Sequence, residues 1–124
     1  MNNIEKKKIL FYGYSGDSHA FRNVLICKDL VDSGKYNVTI LIPNDYKYID
    51  EIESYGINYY APKYKLTDGV RYPIDIFTGN STMIQTLRND KFDMFFSEYF
   101  ISNRFLQNLL QIPLHVGFIP HYEP

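Results

Sequence analysis

The 124-residue chain is 45% hydrophobic and 22% charged, with a net charge of −1. This supports one core and is too short for two ordinary domains, so a single domain over residues 1–124 is expected. The near-zero charge leaves no global field to attract nucleic acid or an acidic membrane, and no nucleic-acid partner is expected.

Lys6-Lys7-Lys8 opens the patterned part of the chain. Lysines commonly flank an apolar element and stay solvated, so the cluster reads as a strand border. No apolar core of signal-peptide length follows it. Ile9 to Tyr14 is an apolar and aromatic run that predicts a buried strand, closed by the turn Ser15-Gly16-Asp17-Ser18. Ala20, Phe21, Val24, Leu25, Cys27, Leu30 and Val31 then recur at helical spacing up to the stop Ser33-Gly34. Asp17 or Ser18 is suited to cap that helix. Cys27 is the sole cysteine and lies within the apolar helical pattern. A buried structural thiol and a reducing compartment follow as expectations.

Val38 to Ile42 predicts a second strand, Tyr46 to Tyr55 a helix stopped by Gly56, and Ile57 to Ala61 a third strand. Lys63 to Asn80 carries the breakers Gly69, Pro73 and Gly79 and reads as a long loop with at most one helical turn. Ser81 to Asn89 predicts a helix, Phe92 to Ser97 a fourth strand, Asn103 to Leu110 a helix, and Leu114 to Ile119 a fifth strand. No run of about 18 apolar residues occurs, so no transmembrane segment is expected and a cytoplasmic location is the default.

Alternating strands and helices predict an α/β fold: a doubly wound, Rossmann-like parallel sheet of about five strands, with helices on both faces. The simplest strand order is 3-2-1-4-5. Ligands of such sheets bind beyond the carboxyl ends of the strands, where the order reverses. This selects two loops, Ser15 to Arg22 after the first strand and Glu98 to Asn103 after the fourth.

The first loop lacks the GxGxxG dinucleotide fingerprint and the Lys-Ser/Thr end of a P-loop. An acidic pair directly after the first strand, or a Ser/Thr-rich flavin phosphate loop, is also poorly matched. His19 lies where this loop meets the helix. Imidazole suits base catalysis near neutral pH, but a lone loop histidine is more often a structural residue. Glu98 closes the fourth strand next to that loop. It is either a solvated strand-end acid or a partner that accepts the second imidazole N–H and stabilises the imidazolium. Asp93 opens the same strand and belongs to the opposite sheet end. Arg22 is placed to meet an anion or to face solvent. His115 reads as a satisfied core or edge histidine. Tyr59, Tyr60 and Tyr64 suit either a cleft wall or edge packing. No cluster with metal-ligand spacing surrounds His19, His115 or His121, so no metal is expected.

Two blocks carry a family resemblance. Lys8 to Asp45, KILFYGYSGDSHAFRNVLICKDLVDSGKYNVTILIPND, resembles the start of the UDP-glycosyltransferase family, which has the GT-B fold. Ser18-His19 matches that family's Ser-His or Gly-His pair, and Gly34-Lys35-Tyr36-Asn37-Val38 stands where the family has Gly-His-x-Val, with one extra residue. Phe92 to Pro113, FDMFFSEYFISNRFLQNLLQIP, is similar to the family's Phe-Asp, apolar strand, acid with an aromatic pair, helix and closing Ile-Pro. The resemblance implies an N-terminal, acceptor-binding domain in which His19 is the catalytic base. Glu98 stands at the position of the Asp that orients this base. Ser15, Gly16, Asp17, Ser18, Arg22 and Tyr99 are then expected to line the acceptor side.

Glu98 adds a methylene to the family's Asp, so a shifted backbone or another rotamer is required. The family's UDP-sugar site lies mainly on a second Rossmann-like domain, whose signature this sequence does not contain. The expectation is therefore a hexosyltransferase fragment or subunit, inactive alone, that meets its UDP-sugar through a partner domain and binds a small-molecule or glycan acceptor. No cofactor of its own is implied. The other reading is a non-catalytic domain that binds a small ligand or regulates a relative.

Overall fold

The computed structural model describes residues 5–12, 17–42, 46–61, 81–98 and 104–118; at 17–19, 81, 98, 104–106 and 118 it describes the backbone alone. Its elements are β1 (Lys7–Tyr12), α1 (Asp17–Asp32), β2 (Tyr36–Leu41), α2 (Ile49–Ser54), β3 (Asn58–Tyr60), α3 (Ser81–Asp90), β4 (Met94–Glu98), α4 (Arg104–Leu109) and β5 (Leu114–Phe118). Every strand pair is parallel, and the sheet order is β3-β2-β1-β4-β5. The predicted order and fold class are thus the observed ones.

Central strands of such a sheet are covered on both faces and read as unbroken apolar runs. Ile9, Leu10 and Phe11 of β1 are all 0% exposed. Strand alternation divides them between two cores. Ile9, Phe11, Val38 and Ile40 pack with Ala20, Val24 and Cys27 of α1 and Ile52 of α2. Leu10, Tyr12, Leu41 and Phe95 pack with Met83 and Leu87 of α3, and with Leu110 and Ile112 after α4. Helices therefore cover both faces.

Strand boundaries differ from the sequence pattern for a physical reason. β1 and β2 begin two residues earlier than their apolar runs, because Lys7 and Lys8 pair with Tyr36 and Asn37 through the backbone. Ladder bonds do not require apolar side chains. Lys8 also forms an ion pair with Asp90, and its ammonium lies 5.4 Å from the centre of the Phe92 ring.

Helix α1 ends as its sequence implies. Gly34 takes φ +76° and donates its N–H to the Val31 carbonyl at 3.0 Å. Gly56, at φ +74°, follows α2 in the same way. α2 itself is shorter than the predicted Tyr46 to Tyr55 helix. Tyr46 is buried instead, and its hydroxyl donates to the Ala20 carbonyl at 2.7 Å. α3 and α4 close without glycine, through Lys91 at φ 56° and Gln111 at φ 58°. The predicted Lys63 to Asn80 loop lies outside the described residues. Among the described residues, no helix is long and apolar enough to cross a membrane.

Candidate functional site

The carboxyl ends of β1 and β4 are neighbours: Tyr12 pairs with Ser97. β4 extends one residue further, to Glu98, which pairs with Phe118. Beyond β1, α1 starts at Asp17, so the backbone of His19 lies in its first turn. The sheet therefore brings residue 19 and residue 98 to one edge, where the strand order reverses.

Two contacts fix α1 at this edge. Ala20, Val24 and Cys27 are buried against β1 and β2, and the Tyr46 hydroxyl holds the carbonyl of Ala20, the residue after His19. Burial pushes both the Tyr46 phenol and the Cys27 thiol up, so both stay neutral inside the fold. Cys27 is buried as its helical position implies, which suits packing rather than nucleophilic chemistry. Tyr46 packs edge-on to Tyr48, whose ring is 5.4 Å from that of Phe21. An aromatic group thus braces the start of α1. The sequence reading placed Tyr46 inside a helix and missed this role.

The remaining expected site residues divide into three groups. Asp17 and Ser18 stand with His19 in the first turn of α1. Arg22, one turn on, is half-buried and engaged rather than free. Ser15, Gly16 and Tyr99 lie outside the described residues, as does Tyr64. Asp93 is at the opposite end, as its position implies: its carboxylate accepts from the Lys8 backbone N–H at 2.8 Å, and its own N–H donates to the Lys8 carbonyl. Tyr59 donates its hydroxyl to Glu53 of α2 at 3.0 Å, which is edge packing.

β4 carries a second polar feature on its other face. His115 of β5 stacks on Phe95 at 5.5 Å between ring centres, and its Nε2 is 2.5 Å from the Ser97 Oγ. Ser97 is 1% exposed, so this bond satisfies a buried hydroxyl. It joins the edge strand to β4 one residue before Glu98. A lone serine closing the apolar run Met94 to Phe96 was the available sequence signal.

No family model matches the chain, and no curated protein matches it in sequence. Solved structures do match in fold. MurG from Acinetobacter baumannii aligns with TM-score 0.62 at 16% identity, covering 90% of this chain and 35% of that one. UGT73P12 from Glycyrrhiza uralensis, complexed with glycyrrhetinic acid 3-O-monoglucuronide, aligns with TM-score 0.61 at 17% identity, covering 89% and 27%. The fold is GT-B-like. The C-terminal domain of a Pyrococcus furiosus hydrogenase aligns with TM-score 0.59 at 15% identity over 94% of this chain and 95% of that domain. The same architecture therefore serves unrelated chemistries, and these identities speak for fold alone. The chain spans about a third of the length of the glycosyltransferases it matches.

Proposed function

We propose that this chain is the N-terminal, acceptor-binding part of a GT-B glycosyltransferase and works with a separate donor-binding domain or subunit. One observation supports the reading: the start of α1, which carries residue 19, and the end of β4, which carries residue 98, lie at the reversal edge of a GT-B-like sheet. In β4, Met94 and Phe96 pack toward the α1 core. Position 98 has the same parity in the strand.

In the proposed mechanism His19 accepts the proton of an acceptor hydroxyl as that oxygen attacks the anomeric carbon of a UDP-sugar. The bond to the UDP oxygen breaks and UDP leaves, held by the partner domain. Glu98 accepts the second imidazole N–H, fixing the tautomer and stabilising the imidazolium. Ser15, Gly16, Asp17, Ser18, Arg22 and Tyr99 line the acceptor side, where a small molecule or glycan binds. The scheme uses no metal. A cytoplasmic setting fits the buried, unpaired thiol of Cys27.

The test is affinity capture of the chain from its native host, then transfer assays on the assembled complex with UDP-sugars and small-molecule acceptors. A partner with a second Rossmann-like domain and sugar transfer are expected. His19→Ala should lower kcat about 100- to 10,000-fold without weakening assembly. Glu98→Asp should retain activity where Glu98→Gln loses it. Transfer untouched by His19→Ala refutes the base assignment. A chain that finds no such partner and supports no transfer would favour the small-ligand-binding or regulatory reading.

A further inference from the structure

Among the described residues, α3 covers only part of the sheet face opposite α1. Beside α3, at the amino ends of β1 to β3, a groove of about 300 Å³ opens over Asn37, Thr39, Asn58 and Tyr60. Thr86 and Asp90 of α3 form its wall. This lies at the other end and on the other face from residues 19 and 98.

The floor of the groove is built in an unusual way for a parallel sheet, whose faces normally bury apolar side chains. Thr39 is 9% exposed and lines the groove, so a hydroxyl stands in its floor. Beside it the Asn58 side-chain N–H donates to the Asn37 carbonyl oxygen at 2.8 Å. That pairing leaves the Asn37 amide N–H groups and the Asn58 amide oxygen available to a guest. The formal charges at the rim cancel, because Lys8 is paired with Asp90. The half-buried ring of Tyr60 adds an apolar wall.

We propose that this groove binds one ring of a neutral, polyhydroxylated ligand, a pyranose. Amide and hydroxyl side chains that each donate and accept match vicinal hydroxyls, which do the same. The cancelled charge disfavours phosphates and carboxylates. The volume lies at the small end of ligand pockets, which suits a single ring. The site is independent of the glycosyltransferase reading, since it shares no residue with the edge where that chemistry is placed.

The test is a titration of the full, isotope-labelled chain with methyl β-D-glucopyranoside, followed by amide NMR shifts, with glucuronate as the anionic control. Saturable shifts are expected at Asn37, Thr39, Asn58 and Thr86, including the side-chain amides, and weaker shifts with glucuronate. Thr39→Val keeps the shape and the β preference while removing the hydroxyl, and should weaken binding at least fivefold. Asn37→Ala should weaken it further. Saturable shifts confined to the carboxyl edge, no saturable shift at all, or full affinity in both variants would overturn the proposal. Groove shifts that depend on protein concentration without sugar would also overturn it and point to a second copy of the chain as occupant.

Discussion

Tyr46→Phe isolates the bond that ties the first turn of α1 to the segment before α2. The hydroxyl donates to the Ala20 carbonyl at 2.7 Å, and Tyr46 is 7% exposed. Phenylalanine keeps the ring and its edge-on contact with Tyr48, 5.9 Å between centres. The Ala20 carbonyl lies inside a helix and keeps its i+4 backbone donor, so no buried acceptor is orphaned. The loss is then the net worth of one neutral bond, about 1 kcal/mol, against about 3–5 kcal/mol for removing an aromatic ring. In urea, the unfolding midpoint should fall with the slope unchanged. An unchanged midpoint would refute the contribution of the bond, and a loss above about 3 kcal/mol would mean that the ring itself repacks. Alkali supplies a second arm. Burial raises the folded pKa of the Tyr46 phenol. A raised folded pKa gives stability that is complete below the unfolded pKa and is lost as pH rises through the folded one. For an exposed phenol that loss starts near pH 10, at a limiting slope of about 1.4 kcal/mol per pH unit. The wild-type advantage over Tyr46→Phe should therefore hold up to about pH 9 and shrink between about pH 10 and about pH 11. A constant advantage across that range would refute the burial of the phenol.

Cys27 should behave likewise. Its thiol is pushed up by burial, so a Cys27→Ala variant should lose less stability than the wild type above about pH 9 in alkaline urea titrations. Lys91 holds a left-handed φ of 56° at the end of α3, and Lys91→Gly should raise stability by about 0.5–1 kcal/mol in thermal unfolding. Ser97→Ala should cost about 1 kcal/mol and speed amide exchange along Leu114–Phe118, because it removes the side-chain bond between β4 and β5.

The sheet was legible because buried parallel strands leave apolar runs and their crossovers leave helical spacing. Gly34 and Gly56 marked two helix ends because only glycine takes their positive φ without strain. Lys91 and Gln111 do the same work with no such mark. Tyr46 was misplaced because its partner, Ala20, is 26 residues away, and no local pattern records that bond. Thr39 falls inside the predicted strand Val38 to Ile42, where a β-branched residue carries no mark of a groove. At the candidate site, strand order alone predicted that residues 19 and 98 share an edge. A bond between two such side chains would depend on rotamers and backbone offset, which neither periodicity nor motif spacing encodes.

The two faces of β2 separate the two candidate ligand sites. Toward α1 the strand offers Val38 and Ile40, both buried among apolar neighbours. Toward α3 it offers Asn37 and Thr39 before Leu41 restores an apolar contact. The polar stretch is thus confined to the amino half of one face, whereas residues 19 and 98 stand at the carboxyl edge. From Lys8 to Tyr12, β1 spans about 13 Å at roughly 3.3 Å per residue. Substitutions that far apart with no shared partner act additively. Thr39→Val should therefore leave the loss caused by His19→Ala unchanged in transfer assays, and His19→Ala should leave pyranoside shifts in the groove unchanged. Coupling above about 0.5 kcal/mol in that double-mutant cycle would show that the sheet links the two ends and that the groove is part of the catalytic site.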